Sequence, residues 1–293
     1  MSQHRSTHLL SIIFALCCAA NPSTAGTQDS LSNSCWTLLP DQPLFNSLLA
    51  NLQEPRLGIR KEVGSSRMRL DIGGAIDLLE LSLPNKDHLR LGAAMFTYAL
   101  TTSRQGLRLQ VDAVDGFFGG YLMYGSSSLV ARLRILHHSA HYVDGHVDPS
   151  TQWWLNGDRP EPYTRDFAEL LVALEWRIAQ SYLSAYTGVS YATLVRPSEI
   201  RRIASLHGIE WHMPDFPGSA LGRPVNVYAA YNLTLSGIPK YVGTSALETG
   251  VKLGEWSKSG VRIFLGYQNG LEVFGQYFRV RRTSWTLGFG FDL

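Results

Sequence analysis

Residues 285–293 read Trp-Thr-Leu-Gly-Phe-Gly-Phe-Asp-Leu: every odd-numbered position is large and apolar, and every even-numbered one is small or polar. A period of two is that of a β-strand, whose successive side chains point to opposite faces. The pattern recurs. Val225, Val227, Ala229, Tyr231, Leu233 and Leu235 alternate with Asn226, Tyr228, Ala230, Asn232 and Thr234. Val261, Ile263, Leu265 and Tyr267 alternate with Arg262, Phe264, Gly266 and Gln268. Leu129, Leu133 and Ile135 oppose Arg132 and Arg134, and Leu170, Val172, Leu174 and Trp176 oppose Glu169, Glu175 and Arg177. Each ribbon therefore has two faces suited to two different surroundings.

A soluble β-sandwich also has two-faced strands, but its strands usually run about 5–6 residues. Many of the alternating segments here run 10–14 residues, and about 9–11 tilted residues cross a bilayer. Only a closed sheet satisfies every backbone group in hydrocarbon. The segments thus predict an all-β fold, an antiparallel transmembrane β-barrel. Twelve strands are expected, at 57–62, 68–81, 88–99, 106–115, 128–141, 165–178, 181–194, 208–213, 224–235, 241–253, 259–269 and 283–292. The long connections 142–164, 195–207 and 270–282 all follow odd-numbered strands, so they share one rim, the extracellular one. The Gly- and Ser-rich stretch 116–127 falls on the other side or extends the fourth strand. Ser198 as an N-cap, Ile200 and Ile203 at helical spacing and Gly208 as a stop predict a short helix in an extracellular loop.

The start of the chain reads as targeting. Arg5 precedes the apolar run Leu9–Ala20, and Ser23-x-Ala25 offers a cleavage site, so residues 1–25 are expected to be a cleaved signal peptide. Removing them takes away Arg5, the segment's one formal charge, and lowers the net charge from +2 to +1. Cys17 and Cys18 lack the small preceding residue that a lipid-attachment site wants, and Cys35 remains without an internal partner. Residues 26–56 are expected as a periplasmic segment and 57–293 as the barrel, in a bacterial outer membrane. So small a net charge gives nucleic acid no electrostatic hold. The implied partners are outer-membrane lipids and the barrel-assembly machinery, which reads aromatic-rich final strands; nothing in the sequence specifies an oligomer. Lumen positions carry both signs, Arg69, Arg90, Arg108, Arg132, Arg134, Arg177 and Lys252 against Asp71, Asp77, Asp112, Glu169, Glu175 and Glu248. Such a mixture favours a filled interior over a wide pore.

One stretch carries chemistry. His137, Ser139 and His141 continue the outward parity of Leu133 and Ile135 near the outer rim. A hydroxyl and an imidazole two residues apart, about 7 Å along a strand, can form a nucleophile–base pair by side-chain reach. Asp166 has the same outward parity on the next strand and can orient the base. The candidate catalytic residues are Ser139 as nucleophile, His137 as base, His141 as the alternative base and Asp166 as the orienting group. Two other readings stand beside this one. Rim His and Ser residues also serve to hydrogen-bond headgroups. A metal site is disfavoured, because His137 and His141 would lie about 13 Å apart along a strand, too far for one ion. No cofactor is called for.

The His137-x-Ser139 strand resembles outer-membrane phospholipase A and the lipid A deacylase PagL, both similar in carrying His-x-Ser on an outward-facing barrel strand. Their motifs continue Ser-Asn, whereas Ala140 and His141 follow Ser139 here, so the resemblance assigns no third catalytic member. Calcium would be implied only by analogy with the phospholipase. More widely, the chain resembles a family of outer-membrane proteins catalogued as domain of unknown function 1207. Residues 45–56, Phe-Asn-Ser-Leu-Leu-Ala-Asn-Leu-Gln-Glu-Pro-Arg, echo its opening, with Ser47, Asn51 and Gln53 departing from it. His137, Ser139, His141 and Asp144 match its His-x-Ser-x-His-x-x-Asp strand, and Gly275-Gln-Tyr-Phe278 its late Gly-Gln-Phe-Phe. That resemblance implies the barrel and no activity. The sharpest expectation for function is hydrolysis of lipid acyl esters at the outer leaflet. The alternative is a non-enzymatic narrow channel or surface-interaction barrel.

Overall fold

The computed structural model describes residues 35–104 and 107–292, without the side chains of Leu107 and Arg108. The expected signal peptide lies outside the described residues. The strands are β1 (Cys35–Leu38), β2 (Leu57–Glu62), β3 (Met68–Ser82), β4 (His88–Arg104), β5 (Leu107–Gly125), β6 (Leu129–Tyr142), β7 (Val147–Asp148), β8 (Trp153–Trp154), β9 (Tyr163–Ile178), β10 (Ser181–Arg196), β11 (Ile203–Ala220), β12 (Arg223–Gly237), β13 (Tyr241–Leu253), β14 (Gly260–Leu271) and β15 (Arg281–Asp292). Each barrel strand is antiparallel to the next, from β2 through β6 and from β9 to β15. The sheet closes where β15 pairs β2, from Thr286↔Glu62 to Phe291↔Leu57. Twelve strands therefore form a closed antiparallel barrel, β1 adds to the far end of β3, and β7 and β8 form a small ribbon in the loop after β6.

The alternation divides the wall as its period requires. Met95 (75% exposed), Ile135 (64%) and Ile263 (62%) belong to an apolar belt that runs round the outside. In the final strand Trp285, Leu287, Phe289 and Phe291 face out, while Asp292 pairs inward with Lys252 (2.7 Å) and Arg262 (3.0 Å). A belt this continuous far exceeds the apolar patches that water-soluble surfaces carry. Together with a closed ladder it is the architecture of an outer-membrane barrel. No helix among the described residues is long and apolar enough to cross a membrane.

The lumen is filled, and by ion pairs. Arg60 reaches Glu248 (2.8 Å) and Asp71 (3.4 Å), Arg90 reaches Asp77 and Glu80 (2.5 Å each), and Arg134 reaches Glu169 (2.8 Å). Of the charges expected inside, Arg177 and Glu175 lie at the periplasmic end and form no ion pair among the described residues.

Residues 44–56 were expected in the periplasm and lie inside the barrel instead. Leu48, Leu49, Ala50, Asn51, Glu54 and Arg56 are all buried. Arg132 donates to both Glu54 oxygens (2.9 and 2.7 Å), and Arg134 lies 3.1 Å from the same carboxylate. Tyr98 donates to the Glu54 carbonyl (2.8 Å), the Leu49 amide to Glu210 (2.6 Å), and Arg56 lies 3.5 Å from Glu248. These partners come from β4, β6, β11 and β13, so the segment is a plug surrounded by wall. Burial pushes the Glu54 carboxyl up, but Arg132 and Arg134, with hydrogen bonds from Arg132 and Asn51, outweigh it and hold the group below its ordinary range.

The outer rim is capped by the 272–280 connection. Phe274 and Phe278 turn inward and pack with Tyr98, Ala140, Tyr163 and Ile200. Gly275 allows this approach, since a Cβ there would stand 2.6 Å from that of Ala140. Two further expectations are corrected. The helix foreseen from Ser198 to Gly208 does not form: β11 begins at Ile203, pairing Ile203↔Tyr191 and Ser205↔Leu235. A ladder with two neighbours outweighs an isolated helix of few turns. The eighth barrel strand accordingly runs from 203 to 220 rather than 208 to 213. The Gly-rich stretch 116–125 continues β5, where Gly119 has no room for a side chain because its Cβ would meet the Ile135 carbonyl at 2.0 Å.

Candidate functional site

β6 carries the site, and its register with β5 and β9 sets the neighbours. Outward parity puts Leu133, Ile135, His137, Ser139 and His141 on one side, and Arg132, Arg134, Leu136, His138 and Ala140 turn to the buried side. Across β9, His137 pairs with Asp166 and Ser139 with Thr164; across β5, His137 pairs with Phe118 and Ser139 with Gly116.

The structure joins His137 to Asp166. Nδ1 of His137 lies 2.6 Å from Oδ1 of Asp166, with the imidazole about one-third exposed. An ionised carboxylate only accepts, so Nδ1 carries a proton, and in the neutral imidazole that leaves the lone pair on Nε2. The Phe118 ring packs against the imidazole at 4.7 Å between centroids and holds its plane. Ser139 sits two residues further toward the rim on the same face. Gly116 opposite leaves it uncrowded, since even a Cβ there would stand 3.8 Å from its Oγ. Among the described residues no hydrogen bond ties Ser139 to either imidazole. His141 is exposed beyond the last β6–β9 pair, Ala140↔Tyr163, and no described carboxylate orients it.

Sequence parity did not single out Thr164. It faces the same side directly across from Ser139, and its Oγ1 is buried with no hydrogen-bond partner. The register Ser139↔Thr164 would have pointed to it. Two further His–Asp pairs also went unforeseen. His138 Nε2 lies 2.7 Å from Asp115 Oδ2, fully buried beneath the stacked Phe117 ring (3.9 Å), and Asp115 also accepts from the Gly275 amide (2.8 Å). His146, in the loop after β6, bridges Asp112 (2.9 Å) and Asp158 (2.9 Å) beneath the stacked Tyr142 ring (4.1 Å), while Tyr277 donates to Asp112. Burial, then that bond to Asp112, pushes the Tyr277 phenol well above its ordinary range and keeps it a donor. Gln276 donates to the carbonyls of Ala140 and Glu161 (2.8 Å each). The Gly275–Phe278 motif thus fastens the cap onto the strand that carries His137 and Ser139. Among the described residues no group of three or more His, Cys, Asp or Glu side chains is arranged to hold a metal ion.

No protein-family model and no curated protein matches the chain. Among solved structures it is similar to the β domain of the Bordetella autotransporter BrkA, at 14% identity and TM-score 0.46, covering 80% of this chain and 95% of that one. It is also similar to OmpT, an outer-membrane protein of Vibrio cholerae, in its in-vitro folded trimer form, at 8% identity and TM-score 0.37, with 80% and 95% covered. A second structure of that protein gives 9% identity and TM-score 0.36, with 80% and 93% covered.

Proposed function

We propose that this outer-membrane barrel hydrolyses acyl esters of lipids in the outer leaflet, with Ser139 as nucleophile, His137 as base and Asp166 as the orienting carboxylate. The observation that carries this reading is the 2.6 Å pair between His137 Nδ1 and Asp166 Oδ1 on the lipid-facing side, beside an open serine on the same strand face. On this outward face the Asp166 carboxylate holds the imidazole in one tautomer, as an orienting group must.

As a lipid ester reaches the wall, His137 Nε2 takes the proton of Ser139 as Oγ bonds to the carbonyl carbon. The carbonyl oxygen becomes an oxyanion, and the unpartnered Thr164 hydroxyl, on the residue paired with Ser139 across the strands, serves as its donor. Collapse breaks the ester C–O bond, and the leaving alcohol takes the proton from His137. Water, deprotonated by the same imidazole, then releases the fatty acid and restores Ser139. A nucleophile–base hydrogen bond tightens as substrate binds, and Ser139 and His137 stand two residues apart on one strand face for it to form. His141, lacking a carboxylate partner, is the weaker base. The similarity of the His137-x-Ser139 strand to outer-membrane phospholipase A and the lipid A deacylase PagL agrees in chemistry and supplies no calcium ligand here.

The test is release of fatty acid from phospholipid and from lipid A in mixed micelles by the purified chain and its Ser139→Ala variant. Activity in the parent that falls by at least about 10³-fold in the variant is expected. Equal rates in both, or none in either, overturn the reading. The rival base is separated by His137→Asn, which should abolish turnover, and His141→Asn, which should retain it.

A further inference from the structure

One rim feature is absorbed by none of the chemistry above. At the outer end of β10 and β11, Arg196, Arg201 and Arg202 line a cavity of about 560 Å³ together with Tyr191, Ile203 and Tyr241. All three arginines are exposed. Their hydrogen bonds go to backbone carbonyls: Arg196 to Val195 (3.3 Å), Arg201 to Pro239 (2.8 Å), and Arg202 to Ala192 (2.9 Å) and Thr193. Among the described residues none of the three is ion-paired. The one carboxylate lining the cavity, Glu199, is taken by Arg279 at 2.7 Å. Three guanidinium groups held by neutral oxygens keep their positive charge available, and their planar forks match phosphate oxygens.

The other side of the cavity says where such a phosphate is attached. Tyr191, Ile203 and Tyr241 have outward parity and are each about half exposed, so the cavity opens onto the lipid face at the height where amphipathic rings sit in a membrane interface. We infer that Arg196, Arg201 and Arg202 bind the phosphate of an outer-leaflet lipid, with its chains lying along Tyr191 and Ile203. The register puts this near the candidate nucleophile, because Ser139↔Thr164 and Thr164↔Arg196 are consecutive cross-strand pairs. Two strand spacings set the two backbones about 10 Å apart. A lipid anchored by its phosphate at Arg196 would therefore present its ester region toward Ser139. Binding goes beyond the hydrolytic reading and stands without it.

Native mass spectrometry of the full chain in detergent, carrying Ser139→Ala so that turnover plays no part, tests this. The probes are phosphatidic acid, a diphosphorylated lipid A, the uncharged diacylglycerol and inorganic phosphate. Both phosphorylated lipids are expected to bind at least about tenfold more tightly than diacylglycerol, and inorganic phosphate at the same concentration should not displace them. Arg196→Gln/Arg201→Gln, which leaves the carbonyl contacts of Arg202 in place, and the triple glutamine variant should both remove that preference. The same loss of charge at the opposite rim, Lys86→Gln/Arg223→Gln/Lys258→Gln, should not. Equal binding of diacylglycerol, displacement by inorganic phosphate, or undiminished preference in the folded double variant overturns the inference. None of these outcomes depends on whether Ser139 is a nucleophile.

Discussion

Asp166 and Thr164 flank the serine–histidine pair from the neighbouring strand, and they make separable predictions. Asp166→Asn keeps the shape but exchanges an acceptor for a group that can present a donor to Nδ1, favouring the wrong tautomer. Lipid hydrolysis by the purified variant should fall by about 10²–10⁴-fold in kcat with KM little changed. Thr164→Val removes a donor wanted only in the transition state, so kcat should fall by about 10²-fold and Thr164→Ser should restore it. Loss in KM alone would assign Thr164 to substrate binding instead. At this scale much of the site was legible in the sequence. Parity alone placed His137, Ser139 and Asp166 on the outer face, because a strand leaves a side chain only two directions. Parity is silent about register, which makes Asp166 the partner of His137 and Thr164 that of Ser139. His146 was illegible for a different reason: it, Asp158 and Tyr277 lie in connections without any period, and only Asp112 stands on a strand, β5.

Among the elements, the plug and the cap hold the interior in different ways, and different perturbations should release them. The plug is tied by charge. Glu54 is fully buried against Arg132 and Arg134, and its folded pKa lies below the ordinary value. Its stabilisation is therefore complete above the ordinary carboxylate pKa near 4.5 and is lost as pH falls through the lower folded value. Protease protection of residues 44–56 should fade only on acidification below that range, and Glu54→Gln should protect less at neutral pH and respond less to acid. Breaking a buried pair of this kind costs about 3–5 kcal/mol. The cap is tied by packing. Phe274 is 2% exposed, and Phe274→Ala should cost about 3–5 kcal/mol, read as a lower thermal midpoint that pH leaves unchanged. The sequence displayed neither element, since their partners lie tens to nearly two hundred residues away and impose no repeat. It left residues 116–125 open between a connection and an extension of the fourth strand, because Gly is a turn residue by default; the structure takes the second, since here Gly admits a neighbouring strand.

For the molecule as a whole, the outer belt and the lumen answer to different solvents, and the alternation written along the chain was sufficient to foresee both, down to the count of twelve strands. What fills the barrel was foreseen only as charges of both signs. With residues 44–56 inside and Phe274 and Phe278 above them, the intact chain should carry no steady current in a planar bilayer. A chain lacking residues 40–54 should conduct, provided that it still resists unfolding in cold detergent. A steady current through the intact chain would mean that the plug leaves in the membrane.

The plug ends at Arg56, and the next residue, Leu57, begins the strand that meets β15. No linker separates the stopper from the seam. The end of the plug is therefore fixed in place by the same strand that closes the barrel. Stopper and seam share one continuous backbone, so a pull on either is felt at once by the other.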